Sequence, residues 1–158
     1  MDAAGRAYGF QFSLVRLTLS AEPAARSSAW AANQVYRGFL TLSPAGAGRA
    51  RIAERLGREA LGISGSTSDP PRVWVQDWSL GVAPQTASPW RLTVRVPGEG
   101  VGLELELSPR KSALSGEALD LFPQQPGGPG VRLLLVPRLA VTGRLELDGQ
   151  PTPVTGTA

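Results

Sequence analysis

Two neighbouring segments of this chain alternate strictly between apolar and polar residues, and a short turn-forming segment separates them. Trp90–Val96 alternates Trp, Leu and Val with Arg and Thr, and residues 101–107 alternate Leu with Glu. The four residues between them, Pro97-Gly98-Glu99-Gly100, suit a hairpin loop. A strand with one apolar and one polar face is typical of an antiparallel sheet that covers a core on one side. The sequence therefore predicts a β-hairpin at this point.

The same pattern recurs along the chain. It returns at residues 139–147, where Asp148-Gly149 then supplies a turn into a short strand at residues 152–155. The 19 Gly and 14 Pro residues among 158 argue against a helical bundle, because both residues are costly inside helices. About eight short strands in a chain of this length predict one all-β domain over residues 1–158, built as an antiparallel barrel or sandwich.

Several segments are less regular. The apolar face of residues 9–19 changes side after Leu14, which predicts a β-bulge there. Apolar residues four apart in segment 49–61 predict a helix locally, and residues 72–80 are read as one strand. Loops are predicted at residues 21–28, 43–48, 62–71, 81–89 and 108–130.

The residue inventory excludes several kinds of site. The chain contains no His and no Cys, so a Ser/His/Asp triad, a cysteine nucleophile and a thiolate metal site are all excluded. We predict no metal and no cofactor. The net charge is +3 and the arginines are dispersed along the chain, so no nucleic-acid partner is expected. The sequence shows no apolar run that could span a bilayer and no signal peptide, and composition leaves the compartment open.

Aromatic, amide and charged residues are most concentrated in the middle of the chain. Gln34 and Tyr36 share one face of a predicted strand, and Trp74, Gln76 and Trp78 would share a face of the next, with Asp77 opposite. Such a surface suits an elongated, partly apolar ligand. The candidate ligand-binding residues are Gln34, Tyr36, Glu54, Arg55, Trp74 and Trp78. The competing interpretation is that the tryptophans belong to the core and that Glu54, Arg55 and Asp77 form a structural ion-pair network.

Several stretches, taken in order, resemble a known family. They are YGFQFSLVR (8–16), WAANQVY (30–36) leading to AER (53–55), VWVQDW (73–78), PRLAVTG (137–143), LDG (147–149) and PVTG (153–156). The set is similar to the lipocalin-like family of carotenoid 1,2-hydratases (hydroxyneurosporene synthases) and AttH-type predicted secreted hydrolases. The resemblance covers most of the chain.

The resemblance implies a bacterial, lipocalin-like (calycin-type) antiparallel β-barrel, the first of two such barrels. It implies that residues 51–56 form a strand running into a loop, against the local helical pattern, and we adopt the strand. The expected partners are an elongated hydrophobic molecule, such as a carotenoid or lipid, and a second barrel domain. The resemblance also implies a periplasmic, secreted or membrane-associated protein, so the protein would work near a membrane in the last of these cases.

Hydration of a C=C bond needs an acid to protonate one carbon and water to trap the cation. Asp77 would supply the acid, and the neighbouring Trp74 and Trp78 would stabilise the cation, because aromatic faces stabilise cations. The chain nevertheless departs from the family pattern. It lacks the Trp-Trp-Tyr strand expected before Arg6 and the Asp-His-Glu-Trp motif expected after Ala158, and Arg37-Gly38-Phe39 replaces an Ala-His-Phe motif. We therefore expect a truncated part of a two-barrel protein, a hydro-lyase or hydrolase when joined to its second domain and inactive alone.

Two other classes of function remain open from the sequence. One is a non-catalytic carrier of hydrophobic ligands, or an accessory module of an exporter. The other is a glycan-binding β-sandwich that uses Trp78 and Tyr36 as stacking platforms.

Overall fold

The computed structural model describes residues 1–19, 27–46, 48–82, 89–114 and 136–158, and nearly all regular structure in these ranges is β-strand. The strands are β1 (Tyr8–Thr18), β2 (Gln34–Pro44), β3 (Arg51–Arg58), β4 (Ser64–Ser68), β5 (Pro71–Val75), β6 (Trp78–Val82), β7 (Trp90–Val96), β8 (Val101–Pro109), β9 (Leu139–Leu147) and β10 (Gln150–Thr157). One 3₁₀ turn, Pro97–Glu99, lies between β7 and β8. Within the described ranges, no helix is long and apolar enough to cross a membrane.

The strands form two antiparallel sheets that enclose one core. The small sheet has the order β1-β2-β3, and the large sheet has the order β10-β9-β8-β7-β6-β5-β4. Met1 extends the edge of the large sheet, because its amino group and its carbonyl both hydrogen-bond to the backbone of Thr155 in β10. The chain then passes from the edge of the large sheet into β1. The prediction of an all-β antiparallel fold is confirmed.

The alternating pattern places the core as predicted. Leu103, Leu105 and Leu107 of β8 are buried, whereas Glu104 on the opposite face is exposed. Glu104 pairs with Arg95 at 2.6 Å on this outer face, as expected for charges in contact with solvent. The remaining buried apolar core residues in the sheets are Tyr36, Leu40, Leu42, Val75, Trp78, Leu92, Val94, Val96, Val101, Val141 and Leu145.

The predicted hairpin between Trp90–Val96 and the following strand is confirmed. Val96 pairs with Val101, and Gly100 closes the loop with a φ of 60°. That left-handed conformation is easily adopted by glycine, which has no Cβ. Most of the predicted loop at 108–130, and parts of those at 21–28 and 81–89, lie outside the described residues.

The bulge predicted near Leu14 is wrong. β1 pairs with β2 in one unbroken register, from Tyr8 opposite Pro44 to Thr18 opposite Gln34. The apolar face changes side for a different reason. Phe10 and Phe12 pack against the core, whereas Val15 and the apolar residues beyond it lie exposed on the outer face of the small sheet.

The helix indicated locally at residues 49–61 is also absent, and the strand implied by the family resemblance is confirmed. Arg51–Arg58 pairs with β2 along its whole length. Ile52 and Leu56 lie on one face of this strand because residues four apart share a face in a strand as well as in a helix. The spacing alone could not separate the two structures.

Residues 72–80, predicted as one strand, form a hairpin. β5 ends at Val75, which pairs with Trp78, and Gln76-Asp77 form the turn. Gln76 has a φ of 56°, a left-handed conformation that non-glycine residues seldom adopt, so the sequence has no glycine to mark this position of the turn. The loop predicted at residues 62–71 is likewise wrong, because it contains strand β4.

The two sheets approach each other closely at Gly38 of β2. A Cβ at this position would lie 2.8 Å from Cε3 of Trp78 and 2.9 Å from Cγ1 of Val75. Both neighbours are fully buried, so neither can move aside without disturbing the core. Glycine at position 38 therefore allows Trp78 of the large sheet to pack directly on the backbone of the small sheet.

We expect Gly38→Ala to lower the free energy of unfolding by about 1–3 kcal/mol, because the added methyl group overpacks the core. The matched control is Gly9→Ala in β1, where an added Cβ has nothing within 4 Å. Urea unfolding followed by tryptophan fluorescence measures both variants. Equal stabilities of the two variants would contradict the close packing of Trp78 on Gly38.

Candidate functional site

An apolar cavity of roughly 200 Å³ lies between the two sheets, away from Trp78. β1 and β2 contribute Phe10 and Leu42 from the small sheet. The large sheet contributes aliphatic side chains from three neighbouring strands: Leu103, Leu105, Val141, Leu145 and Val154. Met1, Tyr8, Gly9 and residues 155–158 complete the wall. None of the described residues that line the cavity is Asp, Glu, Lys or Arg.

A hydrogen-bonded polar group lies beside this cavity. Tyr8, which lines the cavity, donates from its hydroxyl to Oδ2 of Asp2 at 3.2 Å. The Asp2 side chain is only 2% exposed and also accepts hydrogen bonds from the backbone N–H of Ala4 and Arg6. Nε of Arg6 donates to Oδ2 at 2.7 Å. The carboxylate therefore orients Tyr8 and fixes the turn that leads into β1.

These contacts set the charge state of Asp2. Burial acts to raise the pKa of Asp2, but the hydrogen bonds and positive charge of Arg6, together with the Tyr8 hydroxyl, outweigh it and lower the pKa below its usual value. Asp2 is therefore ionised at neutral pH. An ionised carboxylate is a poor proton donor, so this group positions Tyr8 and does not supply an acid.

Gln34 and Tyr36 do share the inner face of β2, as predicted, but neither lines the cavity. Tyr36 is fully buried, and its hydroxyl lies 3.1 Å from Oγ of Ser66 and 3.5 Å from Oε1 of Glu59. Oε1 of Gln34 is buried, and no described group donates a hydrogen bond to it. These residues form a polar end of the core near β4.

Arg55, Asp77 and Trp78 come together between the sheets. The guanidinium carbon of Arg55 lies 5.2 Å from the centroid of the Trp78 ring, a cation–π contact. Nε of Arg55 is 3.9 Å from Oδ1 of Asp77, and Nε1 of Trp78 donates to the carbonyl of Arg95 at 2.9 Å. Glu54 is not part of this cluster, since it pairs with Arg37 on the outer face at 2.6 Å. The contacts tie β3 to the β5–β6 hairpin and to β7.

The prediction that Trp74, Gln76 and Trp78 share one face is wrong, because the chain reverses at Gln76 and Asp77. Trp78 points into the core, whereas Trp74 lies on the outer face beneath Arg72, 5.3 Å from ring centroid to guanidinium carbon. The glycan-binding interpretation is also wrong in the form stated. Trp78 and Tyr36 are both 0% exposed and cannot serve as stacking platforms.

The alternation of apolar residues could not reveal the cavity, for a specific reason. It predicted that Leu103, Leu105, Val141 and Leu145 face inward, yet it gives no sign of which inward residues surround empty space. That depends on which strands of the two sheets face each other.

Within the described residues, no group of three or more Asp or Glu side chains is placed to hold a metal ion.

We expect Asp2→Asn to lower the melting temperature at pH 7, because it removes the ionised acceptor shared by Arg6 and Tyr8. Since the pKa of Asp2 is lower in the folded state, its stabilisation is complete above the ordinary value of 3.8 and disappears as the pH falls through the folded-state pKa. The difference from the parent should therefore vanish in strong acid. Calorimetry across this pH range measures it, with Glu99→Gln as the control; a difference that persists in acid would contradict the assignment.

Comparison with known proteins adds the fold and the family. The crystal structure of a candidate AttH protein from Nitrosomonas europaea, solved at 2.00 Å resolution, superposes with a TM-score of 0.77 at 22% sequence identity. The match covers 99% of this chain and 45% of that one, so the chain spans less than half the length of its structural relative. No curated protein matches the sequence.

At this identity the likeness to the solved structure shows a shared fold, which confirms the predicted lipocalin-like architecture. Family membership rests on a separate finding. The model of the AttH-like family matches residues 1–158, the whole chain. The AttH-like part of the resemblance seen in the sequence stretches is confirmed, and the chain belongs to the AttH-like family.

Proposed function

We propose that this domain binds one end of an elongated apolar molecule, such as an isoprenoid or acyl chain, in the cavity between its two sheets. The observation that carries the proposal is the wall itself: Phe10, Leu42 and five aliphatic residues of the large sheet, with no charged side chain among them. A wall of this kind favours transfer of an apolar group out of water.

The size of the cavity limits how much of a ligand can enter. At roughly 200 Å³ it is smaller than the 300–1,000 Å³ typical of pockets that enclose a whole drug-sized ligand. A carotenoid or a long lipid would place only its end inside. The remainder of the molecule would extend from the cavity, where a second barrel of the full protein is the surface we expect it to meet.

The residues that line the cavity also limit the reactions that this domain can catalyse. Hydration of a double bond held in the cavity would need a proton donor, and Asp2 is kept ionised by Arg6 and Tyr8. Asp77, the acid favoured by the sequence, lies in the β5–β6 turn and does not line the cavity. We therefore assign ligand holding to this domain. Hydration or hydrolysis of the carotenoid-hydratase type would require an acid from a second domain.

A non-catalytic carrier, or an accessory module of an exporter, is the second candidate function. The observation that favours it is the absence of an acidic side chain among the described cavity-lining residues. The two functions share the binding step and differ in the fate of the bound ligand. Incubating the full-length protein with a linear carotenoid and analysing the products by mass spectrometry separates them, because a carrier returns the ligand unchanged.

The binding step is tested with cis-parinaric acid, a polyene fatty acid that fluoresces in apolar surroundings. We expect Val141→Phe, which fills the cavity from β9, to weaken binding of this probe by about tenfold or more. Leu114→Phe, a change at an exposed residue, is the control and should bind like the parent. Circular dichroism establishes that each variant is folded. Unchanged affinity in a folded Val141→Phe variant, with loss of binding in Trp74→Ala, would contradict the cavity and place the site on the outer face beside Trp74.

A further inference from the structure

The end of the small sheet at which β1 finishes and β2 begins carries exposed apolar side chains on its outer face. Val15 and Leu17 lie along this face of β1, and Leu19 follows the end of the strand; they are 45%, 47% and 59% exposed. Leu56 of β3 is 60% exposed on the same face. Trp30, which precedes β2, is 56% exposed. We refer to these five residues as the apolar tip.

The strand register shows that Val15, Leu17 and Leu56 belong to one continuous surface. Val15 lies opposite Arg37, which lies opposite Leu56, so these three form one row across the sheet. Leu17, Val35 and Arg58 form the next row. Leu19 extends the pairing of β1 beyond these rows, since its N–H donates to the carbonyl of Asn33 at 2.8 Å. Asn33 follows Trp30 by three residues in the sequence. Each row therefore combines two apolar side chains with one arginine.

The charge at the tip is positive. Arg37 is neutralised by Glu54, with Nε and Oε1 2.6 Å apart. Arg58 and Arg16 are exposed and make no ion pair with any of the described residues. Arg58 shares a row with Leu17 on the outer face, so one unpaired guanidinium group lies among the apolar rows. Arg16 is paired with Tyr36 and belongs to the inner face of the sheet.

We propose that the apolar tip docks on an anionic lipid bilayer. Leucine and valine side chains gain free energy by entering the boundary between headgroups and acyl chains, and tryptophan favours that same depth. Arginine can keep its guanidinium among lipid phosphates while its aliphatic part remains in the apolar layer. The proposal is independent of the cavity and of any ligand held there.

A second copy of this chain fits the tip less well than a bilayer. Pairing two such faces would bury Arg58 in each copy, and Glu54, the carboxylate on the same face of β3, is already held by Arg37. Burying an unpaired arginine is strongly unfavourable, whereas anionic headgroups supply the missing negative charge. The arrangement of charge therefore selects the lipid surface as the occupant.

Co-sedimentation with vesicles tests the proposal. We expect the parent protein to bind vesicles of phosphatidylcholine mixed with phosphatidylglycerol, and to bind phosphatidylcholine alone much less. Leu17→Glu should lower the partition coefficient by about tenfold or more. Arg58→Gln should lower it by about fivefold on anionic vesicles. Leu114→Glu, a half-exposed leucine beyond the end of β8, is the matched control and should bind like the parent.

Tryptophan fluorescence gives a second readout from the tip itself. Trp78 is fully buried and Trp74 and Trp90 are half-buried, so Trp30 is the tryptophan most exposed to added lipid. Anionic vesicles should shift the emission of the parent to shorter wavelength. Trp30→Phe should abolish that shift, and the cavity-filling Val141→Phe should leave it intact, which separates lipid docking from ligand binding in the cavity.

Three results would overturn the proposal. The first is absence of binding to anionic vesicles, and the second is equal binding by Leu17→Glu and the parent. The third is a parent that sediments as a dimer without lipid, becomes monomeric on Leu17→Glu and ignores vesicles, since the tip would then join two copies of the chain. We expect Leu17→Glu to fold, because the Leu17 side chain is already half-exposed. Circular dichroism of the variant checks that lost binding is not caused by unfolding.

Discussion

The packing of Trp78 on Gly38 is the contact on which the rest of the fold depends. It brings the two sheets together because position 38 lacks a side chain, and Phe12 extends the contact with a ring centroid 6.2 Å from that of Trp78. Arg55 stacks over the same ring and ties β3 to the β5–β6 turn. Because Gly38, Trp78 and Phe12 pack directly on one another, this end of the core is closely packed.

The opposite end of the core is not filled. Along the inner face of β2 the side chains run from Tyr36 through Gly38 to Leu42, and the contacts change from dense aromatic packing to an apolar cavity. The cavity is stable as a space because the strands around it are anchored elsewhere, at the Trp78 end and by the Asp2–Tyr8 hydrogen bond. The tightly packed end thus holds the two sheets together, and the loosely packed end leaves the cavity in which we propose that an apolar ligand binds.

The fold was largely predictable, because burial of one strand face imposes a period of two that is visible in the sequence. The hairpin of β7 and β8 followed from alternation together with Pro97 and Gly100. The β5–β6 hairpin did not, since Gln76 makes the turn without glycine. The cavity could not be predicted either, because it depends on which residues of distant strands meet. Trp78 and Tyr36 have the chemistry of a binding surface, yet the register buries both.

The most direct test of ligand binding between the sheets is a methyl NMR titration of the isotope-labelled domain with cis-parinaric acid. We expect chemical-shift changes in the methyl groups around the cavity, those of Leu42, Val141, Leu145 and Val154, while Leu92 and Val94 near the filled part of the core stay unchanged. Shifts confined to methyl groups outside the cavity, with the resonances of those four residues unmoved, would contradict the claim that an apolar chain end binds between the two sheets.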